Sequence, residues 1–70
     1  MRDPKALGAK ERRVAELAAK GLSNKSIGYE LGMVPGTVSG HLRKVQMKLG
    51  VRSRRELIEL LAAWSRRDES

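Results

Sequence analysis

Arg43, Lys44, Lys48, Arg52, Arg54 and Arg55 lie in a part of this chain that has no acid, since no aspartate or glutamate occurs between Glu30 and Glu56. Cations gathered in this way raise a local potential that attracts polyanions, nucleic acid above all. The plain alternative is a solvated basic face, which is common on small soluble proteins. Catalysis has little to work with. The chain has a single histidine, His41, and no cysteine. No carboxylate stands near His41 in the pattern, so the cooperating groups of acid–base or nucleophilic chemistry are missing. No metal site, cofactor or enzymatic activity is expected, and His41 reads as a partly packed helical residue.

The whole composition points the same way: 15 Lys and Arg against 8 Asp and Glu give a net charge of +7 over 70 residues. That length makes one domain at most, and a chain of this size buries only about 60% of the surface its unfolded form exposes. A partner would add stability. The lack of cysteine removes disulfides and thiolate zinc sites and suits a reducing compartment. No apolar run is long enough for a membrane span, and "MRDPKALGAK" lacks the apolar core of a signal peptide. The chain therefore reads as soluble and cytoplasmic.

Four helical segments must position the basic residues, and no stretch alternates apolar and polar residues as a strand would. The first helix is expected from about Lys10 to Lys20, with Val14, Leu17 and Ala18 on one face and Gly21 as a stop. Ser23 caps the second, which presents Ile27 and Leu31 before Gly32 ends it. Pro35 opens the third, where its missing N–H costs nothing, and Gly50 follows its last residue, Leu49. Ser53 and Glu56 have capping-box spacing at the start of the fourth, whose apolar stripe is Leu57, Leu60, Leu61 and Trp64. The short loops require a compact all-α unit. Residues 1–6 read as an N-terminal extension, 7–65 as the domain and 66–70 as a frayed tail.

On a wheel of about 100° per residue, Val38, Leu42, Val45 and Leu49 of the third helix fall within about 60° and form its buried face. The opposite face holds Gly36, Ser39, Gly40, Arg43 and Met47, flanked by Thr37, Lys44 and Lys48. Neither glycine is in the core. Each costs a helix roughly 1 kcal/mol relative to alanine, and a surface bare of side chains lets another macromolecule approach the backbone. Neutral surface drift is the competing explanation. The GxxxG spacing of the pair has no membrane helix to act in. Tyr29 reads as surface or half-buried and Trp64 as core or interface, neither as a base-stacking residue.

Gly28, Gly32 and Val38 have the spacing of the small, turn and apolar positions in a helix-turn-helix. The second helix of such a pair enters the DNA major groove with its N-terminal residues toward the base edges. The segments "KERRVAELAAKG", "GLSNKSIGYELG" and "TVSGHLRKVQMKLGVRSRRE" resemble the LuxR-type, or GerE-like, helix-turn-helix domain of bacterial transcription regulators, over about Leu7 to Trp64. The resemblance implies a four-helix DNA-binding domain, usually the C-terminal part of a larger regulator and sometimes a whole protein. It also implies dimers formed through the last helix.

This chain departs from the pattern at several places. Gly8 stands where the family often has threonine, and "NKSIG" where it often has "NKEIA", changes expected to weaken the helices locally. Ser39 replaces a lysine. The positions matching Ser39, Gly40 and Arg43 read bases in the family, which leaves Arg43 as the one long donor and the expected principal reader, bidentate to a guanine, with Ser39 a lesser contact. Lys25, Thr37, Lys44, Lys48, Arg52 and Arg54 are expected on phosphates.

Ile58, Ala62 and Ser65 lie beside the core face of the fourth helix, and a homodimer contact there would give inverted half-sites. The reading is thus a sequence-specific regulator module on double-stranded DNA, with RNA polymerase a further candidate partner. A protein-interaction module without base readout and a σ-factor region 4-like fragment are the alternatives.

Overall fold

The computed structural model describes residues 7–69, with side chains described for residues 7–64. Periodicity and caps produce the elements where the sequence suggests them: α1 Ala9–Ala19, α2 Asn24–Leu31, α3 Pro35–Leu49 and α4 Arg54–Glu69. No strand occurs among the described residues. The expected extension at 1–6 lies outside them. The stretch 66–69, expected to fray, continues α4 as helical backbone.

α1 starts without a side-chain cap, because Gly8 has none to offer. Glu11 supplies a substitute: its Oε1 accepts the Gly8 N–H at 2.9 Å, the reciprocal half of a capping box. α2 is capped by Ser23, whose Oγ accepts from the Ser26 N–H at 3.2 Å. α4 is capped by Ser53, whose Oγ accepts from the Glu56 N–H at 3.1 Å. α3 begins with Pro35 directly after Val34.

α1 packs on α3 and α4, and α2 packs on α3. Their shared core is Val14, Ala15, Leu17, Ala18, Ile27, Val38, Leu42, Val45, Leu49 and Leu57. Val38, Leu42, Val45 and Leu49 are the buried residues of α3, so the face expected inward is the face found inward. Each fully buried aliphatic side chain contributes roughly 1.5–3 kcal/mol. Leu60, Leu61 and Trp64 pack half-buried on the same core. Tyr29 falls at the exposed end of its expectation, at 90%.

The turn from α2 to α3 sets the angle at which α3 is presented. Gly32 has φ of 67°, a left-handed conformation that glycine adopts without a Cβ clash. The Met33 N–H then reaches back to the Gly28 carbonyl at 2.8 Å, closing the helix end. Gly28 is buried, and a Cβ there would run into the Met33 carbonyl oxygen. Its helical cost is therefore offset by a tighter turn, which qualifies the expected local weakening.

Candidate nucleic-acid interface

With its aliphatic stripe in the core, α3 turns Gly36, Thr37, Ser39, Gly40, Arg43, Lys44, Met47 and Lys48 outward, and all are exposed. A Cβ added at Gly36 or Gly40 would meet nothing within 4 Å. Packing among the described residues therefore asks for neither glycine. His41 sits half-buried at the border of the two faces, with Nδ1 unpartnered among the described residues.

The acid-free stretch looks uniform along the sequence, but the fold divides its cations. Lys48 reaches α1, where Nζ donates to Glu11 Oε1 at 2.7 Å. That carboxylate is nearly buried and accepts the Gly8 N–H as well. The Lys48 hydrogen bond, then the Gly8 N–H, hold the Glu11 carboxyl below the usual carboxylate range, while burial opposes them. Arg55 pairs along α4 with Glu59 at 3.8 Å, in full solvent.

Arg54 is half-buried at the start of α4 and turns back toward α2. Its Nη2 donates to the Leu22 carbonyl at 2.6 Å and its Nη1 to Asn24 Oδ1 at 2.5 Å. Asn24 in turn donates from Nδ2 to Ser39 Oγ on α3 at 3.2 Å. Three helices are thereby linked through one arginine. Lys48 and Arg54, both expected on phosphates, are thus engaged inside the fold, and the assumption that the stretch is unopposed holds only along the sequence.

The other expected contacts stand outside. Arg43, Lys44, Lys25 and Arg52 are exposed and make no side-chain hydrogen bond or ion pair among the described residues. Ser39, Gly40 and Arg43, the expected base readers, lie on one surface with Lys44 on its flank. On α4, Ile58 is half-buried and Ala62 exposed, while the Ser65 side chain lies outside the described residues. Asn24 and Glu11 escaped the sequence reading. Glu11 had a signal, an acid three positions after the residue preceding the first helix. Asn24 had none, because its partners are 15 and 30 residues away.

Among the described residues no group of three or more His, Cys, Asp or Glu could hold a metal ion. No helix among them is long and apolar enough to cross a membrane.

Comparison with known proteins agrees with this arrangement. The chain is 45% identical over 51 residues to the transcriptional regulatory protein UhpA of Escherichia coli, covering 73% of this chain and 26% of UhpA. It is 39% identical over 54 residues to the transcriptional regulatory protein FixJ of Azorhizobium caulinodans, covering 77% of this chain and 26% of FixJ. The chain thus spans under a third of the length of these relatives. The sequence model of the GerE family, described as bacterial regulatory proteins of the luxR family, matches residues 5–61. The match takes in α1, the whole helix-turn-helix and the first half of α4, so the chain belongs to the luxR family of bacterial regulatory proteins.

Proposed function

We propose that this chain binds duplex DNA sequence-specifically and serves transcription regulation, with α3 lying in the major groove. One observation carries the reading: the exposed face of α3 combines bare backbone at Gly36 and Gly40 with cations that make no hydrogen bond or ion pair among the described residues. An α-helix fits the major groove, and helix positions without side chains bring its backbone close to the base edges. Arg43 is the principal reader, its guanidinium matching the O6 and N7 acceptors of a guanine, and Ser39 makes a second contact beside Gly40.

Lys25, Thr37, Lys44 and Arg52, all exposed, serve as phosphate ligands, which position the domain without reading sequence. Lys48 and Arg54 are left out of this set because each already has a partner within the chain. A homodimer through Ile58, Ala62 and Ser65 on α4 would present two copies of α3 to inverted half-sites. The membership in a regulator family and the names of UhpA and FixJ support a role in transcription. Contact with RNA polymerase and a cytoplasmic location are consistent with that role.

The test is a selection from a random duplex DNA library at near-physiological salt, with sequencing of the retained pool. The expected result is an inverted repeat with a guanine in each half-site. Retention without enrichment would reduce the function to phosphate binding. Failure to retain DNA would leave an interaction module and overturn the reading.

A further inference from the structure

We infer that Arg54 and Asn24 bias the hydrogen-bonding polarity of Ser39, so that its hydroxyl keeps its proton for the edge of a base. The inference rests on the proposed placement of α3 in the major groove. An arginine guanidinium can only donate. With Nη1 of Arg54 directed at its side chain, Asn24 must turn its oxygen toward α4 and its amide nitrogen toward α3. Ser39 Oγ therefore accepts from Asn24 with one of its two lone pairs, and its hydrogen, which the Asn24 amide cannot take, stays available to a base.

The second donor of Arg54 strengthens the assignment. Nη2 is held by the Leu22 carbonyl, so the guanidinium is fixed at two points and cannot swing to release Asn24 cheaply. The outward group is then a donor, which matches guanine O6 or N7, adenine N7 or thymine O4. Cytosine offers only its amino group in the major groove, so it is the base this arrangement disfavours. Arg54 and Asn24 act as positioning residues, and Ser39 touches the DNA.

The experiment compares library selections by the wild type, Ser39→Ala, Asn24→Asp and Arg54→Met, each checked by thermal unfolding. In the wild type, cytosine should be depleted roughly threefold to tenfold at one position of the half-site, the size expected of one hydrogen bond, and Ser39→Ala should restore it. Asn24→Asp keeps a partner for Arg54 but has no donor for Ser39. The serine hydroxyl then turns inward to the carboxylate and shows its lone pairs outward. Enrichment at that one position should move toward cytosine, whatever the added charge does to overall affinity.

Arg54→Met frees the Asn24 amide to rotate, so the same position should become nearly indifferent. The slope of log affinity against log salt should stay at its wild-type value. A slope smaller by about 0.9 would put Arg54 on a phosphate and overturn the inference. An unchanged preference in Asn24→Asp would also overturn it, even with the wild-type motif intact. A wild type that retains no DNA would instead refute the proposed function, on which the inference rests.

Discussion

Arg43 and Arg54 belong to the same acid-free stretch and carry the same group, but the fold gives them opposite surroundings. Arg43 projects from the middle of α3 into solvent with no partner among the described residues. Arg54 folds back from α4 to bind a backbone carbonyl and an asparagine of α2. The lysines repeat the contrast: Lys44 is exposed without a hydrogen bond or ion pair among the described residues, and Lys48 closes on Glu11. A run of like charges is thus divided by the fold. Those with an acceptor within reach join the helices, and the remainder are the ones proposed for an external anion.

Breaking the inner set should be felt in stability. Glu11→Ala removes both the substitute cap of α1 and the partner of Lys48. It should destabilise the domain by about 1–2 kcal/mol, combining a lost cap with a charged but partly solvated hydrogen bond. For a domain of this size, that lowers the melting temperature by roughly 4–16 °C. Calorimetry would measure it. A melting temperature within a degree of wild type would mean that the Glu11–Lys48 pair contributes nothing.

The outer set should be felt in the salt dependence of DNA binding. Lys44→Ala should reduce the log–log slope by about 0.9, the value for one phosphate neutralised, while Lys48→Ala should leave it unchanged. Titrations over a range of potassium concentrations would separate the two. Equal reductions would erase the distinction between inner and outer cations.

Gly40→Ala sharpens the comparison on α3 itself. A Cβ there meets open space in the free domain, so alanine should add about 0.5–1 kcal/mol of stability through helix propensity. The same Cβ should weaken DNA binding if the helix backbone approaches the bases. Stabilisation with unaltered binding would make the glycine neutral drift.

The smallest effect is a pH dependence. The Glu11 carboxyl lies below its ordinary range in the folded state, so between that lowered value and the unfolded value the unfolded chain binds more protons. Stability from this group is present above the unfolded carboxylate range and is lost as pH falls through the folded value. Glu11→Gln should remove that part of the acid dependence, as unfolding at pH 3 to 6 would detect.

Most of the frame could be read from the sequence, because its signals are local. Ser23, Pro35, Gly50 and Ser53 mark helix ends within a few residues of themselves, and the spacing of Val38, Leu42, Val45 and Leu49 defines the inner face of α3 and hence its outer one. The partners of the cations were not legible. Lys48 and Glu11 are 37 residues apart, and Arg54 and Asn24 are 30 apart. Residue type and periodicity say that such groups can pair, but only the packing of α1, α2 and α4 around α3 decides that they do. The same holds for Gly28, whose fit depends on where the Met33 carbonyl lands.

Whether Arg43 reads a base is decided by the library selection carried out with Arg43→Ala. One bidentate contact is worth about 1–3 kcal/mol of discrimination, so the guanine preference should disappear from each half-site while the rest of the motif and the melting temperature persist. An unchanged motif bound with uniformly lower affinity would place Arg43 on the phosphates instead of a base.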